Sequence, residues 1–367
     1  ASAKNAPWKV GVVYSRTGLL SAYGAEYVEG LKLGLDYATN GTGLVNGHKV
    51  LLSLVDDGTD PTKAVSAAKS LIGQGYKIII GTESSGVALQ VAPIADQNSV
   101  LYISGPAASD AITGINKHTF RSGRQTTQDV LAANSFLQGS GRNVTVFAQD
   151  SAFGAGNFAA VAAQLGGKGH KVSKILVPLS ANDFTPFAEQ LKNAKPDLAF
   201  VAWAGTTAPA MWKALQQQGV FSSTKVVTGL AERATWATFG PVASDISFLS
   251  HYVWSAPTNP VNDYLVKRMK ARGQLPDLFT PDGFVAAQMV VRAIQGAGGD
   301  QKVDRMISSL EGWKFNGPKG PEFIRPQDHA LLQPMFQVKL QAKGGGWTPV
   351  VLKRISPGNL VPPVILH

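Results

Sequence analysis

The chain has 367 residues, 44% of them hydrophobic and 16% charged, and it contains no cysteine. That balance fits one or two globular domains with ample core. It excludes a disordered chain, a disulfide framework, thiolate metal sites and cysteine nucleophiles. Formal net charge is +10, but Lys and Arg are scattered with no dense run, so the charge reads as a solvated surface and no nucleic-acid partner is expected.

No apolar run approaches the about 18 residues that a membrane helix needs. The opening ASAKNAPWKV lacks the layout of a signal peptide and reads as a mature N-terminus. Residues 8–14, WKVGVVY, form a first strand. The loop SRTGLLSAYG follows, then an amphipathic helix from 25 to about 40 built on Tyr27, Leu31, Leu35 and Ala38. Asn46-Gly47 marks a turn before a strand over 49–55, which Asp56 and Asp57 close. Pro61 stands near the start of a helix reaching 72, where its missing N–H costs little. A strand over 77–80, a helix over 86–97 and a strand over 100–103 continue the alternation; 118–122 is extended and 126–137 helical.

The pattern then restarts. Strands over 143–148, 171–177, 198–203 and 225–228 alternate with helices over 153–165, 183–193 and 208–218. A strand over 247–253 and helices over 261–272, 282–295 and 303–310 come next. The Gly- and Pro-rich WKFNGPKGPEFIRPQ reads as mostly loop, and 334–340 and 347–355 as strands paired through a turn at 344–346. Repeated βα units predict an α/β protein of two doubly wound lobes, each a parallel sheet with helices on both faces.

The functional reading starts at 78–90, IIIGTESSGVALQ. Three isoleucines suit a strand buried on both faces. Gly81 ends it, Thr82, Glu83, Ser84 and Ser85 form a polar turn, and Gly86 leads into the periodic Val87, Leu89, Val91 and Ile94. Such a turn lies at the carboxyl end of the strand, where open α/β folds bind ligands. Hydroxyls and backbone N–H groups at a helix N-terminus suit a carboxylate; the same serines serve equally well as helix caps.

No HExxH, GxxxxGK[ST] or GxSxG motif is present. The six histidines show no metal-ligand spacing, and His118 and His251 read as structural. Residues 154–159 fit GxGxxA, but 149–153 separate them from the preceding strand and the next strand ends without an acid, so they read as a glycine-rich helix start. Asp56 and Asp57 read as turn and cap residues. Loops at 15–23, 83–85, 104–109, 150–153, 203–207 and 230–233 carry hydroxyls, amides and rings. Two lobes facing each other across those loops predict a ligand pocket with no assembled catalytic group. No enzymatic activity, cofactor or metal is expected.

The stretches KVGVVYSRTGLLSAYG, VDDGTDPTKAVSAAKSLI, IIGTESSG, YISGPAAS, HTFRSG, AQDSAFGAG and NDFTPFAEQLKNAKPDLAFVAW, in that order and spacing, resemble the periplasmic substrate-binding proteins of ABC transporters, of the Leu/Ile/Val-binding type. The resemblance implies a type I periplasmic binding fold: a first lobe over 1–121 plus 254–330, a second over 122–253 plus 331–367, and three chain crossings forming a hinge that closes on the ligand. It implies an extracytoplasmic monomer, periplasmic or extracellular and open to membrane tethering before processing, that delivers a small solute to permease subunits.

Carried over residue by residue, the carboxylate-binding serine falls on Ser85, beside Ser84. The next ligand loop falls on 104–109, including Ser104 and Ala107, with Ala108 where amino-acid binders commonly have a hydroxyl. The covering aromatic falls on Tyr23. A second-lobe aromatic falls on Phe153, without the phenol oxygen. Further contacts fall around Trp203 and Thr206, and the acid that holds an ammonium falls on Ala231 or Glu232. Two positions that pair as a disulfide in leucine-type members fall on Thr59 and Ser84, neither of them cysteine here. Arg16 and Arg124 are candidates to pair a carboxylate, and Tyr23, Phe153, Trp203 and Phe279 to enclose an apolar or flat body. The lost hydroxyl and phenol disfavour an ammonium. The expected ligand is an apolar amino acid or an aromatic acid. A sensor of the same fold and a nucleotide-dependent enzyme are the alternatives.

Overall fold

Runs of β-branched and aliphatic residues form the central strands, and glycine- and proline-marked turns separate them from amphipathic helices. The computed structural model describes residues 6–299 and 301–366. The chain divides into two compact units: one comprises the segment up to Gln125, Trp254–Gln333 and the segment from Pro362, the other Thr126–Val253 and Pro334–Val361.

The first unit is built on a six-stranded sheet in the order Leu44–Val45, His48–Asp56, Trp8–Tyr14, Ile78–Gly81, Leu101–Ser104, Thr119–Arg121. All neighbours are parallel except the Leu44–Val45/His48–Asp56 pair. Both faces are apolar, as parallel strands require. Val10, Val12, Ile78, Ile80, Leu101 and Ile103 pack with Val285, Met289 and Ile294 of the helix Thr280–Ala297. Val13, Ile79 and Tyr102 pack on the other side with Ala64, Leu71, Val87 and Val91.

The second unit holds a seven-stranded sheet in the order Gly346–Ile355, Met335–Lys343, Ile246–Ser250, Lys225–Gly229, Leu198–Ala202, Asn143–Asp150, Lys171–Pro178. Its last five strands are parallel, and the Met335–Lys343/Gly346–Ile355 hairpin adds antiparallel to Ile246–Ser250.

The fold class, α/β with two parallel-sheet units, is as the sequence predicts. Three details differ. The helix expected from residue 25 begins at Ser21, so Tyr23 lies in its first turn rather than in a loop. The stretch expected to be mostly loop forms a small sheet of Lys314–Gly317, Gly320–Ile324 and Leu331–Leu332. Its Pro321 sits opposite Asn316, and glycines and prolines hide the in–out alternation that the strand follows. Finally, the chain passes between units four times rather than three. Arg325 donates to Pro362 O at 2.8 Å and Asp328 accepts from Ile365 N at 3.0 Å, which anchors residues 362–366 to the first unit. Residues 122–125 and 331–333 also group with the first unit, against the division expected.

Candidate ligand-binding site

In the first unit the strand Trp8–Tyr14 lies between His48–Asp56 and Ile78–Gly81. The winding reverses there, so the loops after Trp8–Tyr14 and Ile78–Gly81 part at a topological switch point, the place where open α/β sheets bind ligands. A buried polar knot ties the two loops together. Glu83 accepts from Ser15 N at 2.8 Å, and Asp57 accepts from the Ser15 hydroxyl at 2.8 Å and from Thr59 N at 2.7 Å. All three residues of the knot are buried. Burial, with the Asp57 charge adding to it, pushes the Glu83 carboxyl up to about 8. Burial also raises Asp57 against the bonds from Thr59 and Ser15.

The turn itself is held in a costly conformation. Gly81 has φ 122° and Thr82 φ 129°, a region that a β-branched residue rarely enters, at a cost of about 1–3 kcal/mol. Neighbouring groups fix it: the Thr82 hydroxyl bonds the Tyr102 hydroxyl, Gly81 O accepts from Gly105 N at 2.7 Å, and Thr82 O accepts from Ala107 N at 3.0 Å. The two serines beyond it play different parts. Ser84 is the N-cap of the helix Ser85–Gln97, its hydroxyl accepting from Val87 N at 3.4 Å. Ser85 is 3% exposed, and its hydroxyl accepts from Ser109 N at 3.1 Å. That bond occupies a lone pair and leaves the hydroxyl hydrogen to donate outward.

Other expected residues gather in the same unit. Ser104 ends its strand, with its carbonyl accepting from Ser122 N at 2.7 Å. Ala107 and Ala108 are buried. Arg124 donates to Pro106 O at 2.6 Å, and its guanidinium lies 5.5 Å from the Phe279 ring centre. Phe279 meets Tyr23 edge-on, with centroids 4.6 Å apart. Arg16 is exposed. At the disulfide positions of leucine-type proteins, the Thr59 hydroxyl donates to Thr17 O at 3.1 Å and the Ser84 hydroxyl accepts from Val87 N.

The second unit repeats the switch point between Asn143–Asp150 and Leu198–Ala202. Gln149 ties these loops with both ends of its amide, donating to Ala204 O at 3.0 Å and accepting from Ala204 N at 2.9 Å. Trp203 stacks on Phe147 with centroids 5.8 Å apart, meets Phe184 edge-on, and donates to the Thr207 hydroxyl at 2.9 Å. Thr206 is exposed. Phe153 packs against the unit's core from the helix Ala152–Gly166. The Glu232 carboxylate accepts from the Thr235 hydroxyl at 2.7 Å, while Ala231 offers only its carbonyl, to Trp236 Nε1 at 2.9 Å.

The GxGxxA stretch is a helix start. Ser151 caps it, and a β-carbon on Gly154 would lie 1.7 Å from Gln149 O, so this glycine serves close helix–strand packing. His118 and His251 pair with Asp96 and Asp129 at 2.7 and 2.9 Å. Among the described residues, no group of three or more His, Cys, Asp or Glu could hold a metal.

Sequence reasoning missed the knot and its counterpart. Asp57 reads as a turn residue, and nothing local marks Ser15 or Gln149 as partners across the sheet. A single signal was available: each stands at the end of an apolar strand, where a polar residue is about to be buried.

Two doubly wound units, each presenting a polar strand-end switch point, have the architecture of a solute-binding protein. The chain belongs to the periplasmic binding protein family, whose model matches residues 7–345; its members are solute-binding proteins that work outside the cytoplasm with ABC transporters. It is 26% identical over 302 residues to the Leu/Ile/Val-binding protein homolog 3 of Brucella melitensis, covering 81% of each chain. Among solved structures it is similar to an ABC-type branched-chain amino acid transporter from Rhodopseudomonas palustris, at 30% identity, 98% and 100% coverage and a TM-score of 0.81. A solute-binding protein of R. palustris solved with 4-hydroxybenzoate shares the fold at 21% identity, 96% and 97% coverage and a TM-score of 0.85. These relatives are transporter-associated binding proteins, not enzymes.

Proposed function

We propose that this chain binds a small carboxylate with an apolar body, an aromatic acid or an apolar amino acid, and hands it to permease subunits. The Ser85 hydroxyl carries the reading: it takes Ser109 N as a donor and keeps its own hydrogen for an outside acceptor, at a switch point and a helix N-terminus. Tyr23 and Phe279 supply ring surface for the ligand body, with Arg124 beside them as a cation. The buried methyls of Ala107 and Ala108 offer nothing to an ammonium, which favours an acid without an amine. The names of the relatives, one for Leu/Ile/Val and one solved with 4-hydroxybenzoate, bracket the same chemistry. On this reading the chain acts as a monomer outside the cytoplasm, in the periplasm or in an extracellular, membrane-tethered form.

Thermal-shift titration with 4-hydroxybenzoate, benzoate, L-leucine and L-phenylalanine, beside benzamide and L-leucinamide, tests this. A ligand at a hundred times its Kd adds about 2.7 kcal/mol of stability, so at least one acid should raise Tm clearly and its amide should not. No shift with any acid at millimolar concentration would overturn the reading.

A further inference from the structure

Arg121 is the largest fully buried side chain among the described residues, at 0% exposure. Its guanidinium meets only neutral oxygens: Nε donates to the Thr113 hydroxyl at 3.0 Å, Nη2 to Ser109 O at 2.9 Å, and Nη1 to Arg124 O at 3.3 Å and Ala108 O at 3.5 Å. Burying a cation without a directly paired carboxylate is costly, and the Asp110 and Asp328 charges offset part of that cost without bonding it. Burial draws its pKa down to about 10, which still leaves it charged at neutral pH.

What it gains is control of one peptide unit. The unit joining Ala108 and Ser109 directs its carbonyl to Arg121 and its N–H to the Ser85 hydroxyl. A cation on the carbonyl side polarises the peptide and strengthens its N–H as a donor, and the polarised hydroxyl then donates more strongly in turn. The adjoining Ser109 carbonyl, held at 2.9 Å, fixes the unit in place. We propose that Arg121 is a positioning residue for the ligand: through the Ala108–Ser109 peptide it orients and polarises the Ser85 hydroxyl so that its hydrogen is presented to a carboxylate. This rests on the carboxylate reading of Ser85.

The experiment is a double-mutant cycle by calorimetry on the full chain, with 4-hydroxybenzoate and L-leucine as probes. Arg121→Lys keeps the charge and loses the fork; Thr113→Val removes only the acceptor of Nε and serves as the milder variant. Arg121→Lys should weaken binding about tenfold and Thr113→Val about two- to threefold. In a Ser85→Ala background neither should cost anything further, a coupling that general loosening of the fold would not produce. Losses that persist undiminished in that background, or full affinity in both single variants, would overturn the role of Arg121 while the Ser85 reading stands. A Ser85→Ala variant with unchanged affinity, or a wild type that takes neither these probes nor benzoate or L-phenylalanine, would remove both.

Discussion

In the first unit the switch-point loops are tied by Glu83 and Asp57 accepting from Ser15; in the second, Gln149 makes both bonds to Ala204. Glu83 and Gln149 are equally buried, each 5% exposed. A neutral amide both donates and accepts, so its bonds do not depend on pH. A buried carboxylate only accepts until it is protonated, so the tie of the first unit titrates and the tie of the second does not. The same kind of switch point, held by different chemistry, makes one tie answer to pH and leaves the other indifferent to it.

The largest effects should be those the two units share. A β-carbon on Gly24 would lie 1.9 Å from Ser15 O, as one on Gly154 would lie 1.7 Å from Gln149 O. Gly24→Ala and Gly154→Ala should each cost about 2–4 kcal/mol in denaturant unfolding; a cost in one unit alone would break the parallel.

Exchanging the ties comes next. Glu83 holds a proton up to about 8 when folded, against an ordinary value of 4.5. Between those values the folded chain keeps a proton that the unfolded chain releases, so stability falls as pH rises through the window and levels off above it. Glu322, which burial and the nearby Asp282 charge raise to about 8 against Lys319, adds a slope of the same sign. Glu83→Gln should remove its share of the decline between pH 5 and 8. Gln149→Glu should cost about 2 kcal/mol at pH 8, where the carboxylate cannot donate to Ala204 O, and less at pH 5. A pH profile left unchanged by Glu83→Gln would show that the knot does not titrate.

A smaller effect concerns binding. Above pH 8 ionised Glu83 sits two residues from Ser85, so carboxylate affinity should drop by about 1 kcal/mol between pH 7 and 9. Calorimetry should show that drop in the wild type and not in Glu83→Gln. The smallest effect is the cap: Ser84→Ala should cost about 0.5–1 kcal/mol of stability and leave affinity unchanged.

Local pattern carried most of the fold into view. Apolar strands, Asp60-Pro61 and the serine turn at 82–85 announce themselves through their residue types, although Tyr102, Gly105 and Ala107 hold the turn's backbone. The sheet at 314–332 did not, since its prolines and glycines mask the alternation. The return of residues 362–366 rests on Arg325 and Asp328, some 35 residues away, and no local signal encodes it. Ser84, Ser85 and the 104–109 loop lie at the strand ends, Ser84 capping the helix and the Ser85 hydroxyl accepting from Ser109 N. Ser15, Asp57 and Gln149 escaped because their partners stand on loops after neighbouring strands, and Arg121 because nothing in the pattern shows that the oxygens of 108–124 fold around it. Arg121 sits inside HTFRSG, where only the apolar company of a short strand hints at burial.

The most direct test is calorimetric titration of Ser85→Ala with the acid that binds the wild type best. Loss of a charge-assisted bond predicts affinity weaker by about 1–3 kcal/mol in a variant that still folds, its stability lowered because Ser109 N loses its acceptor. An unchanged Kd in a folded variant would contradict the claim that this hydroxyl holds the ligand carboxylate.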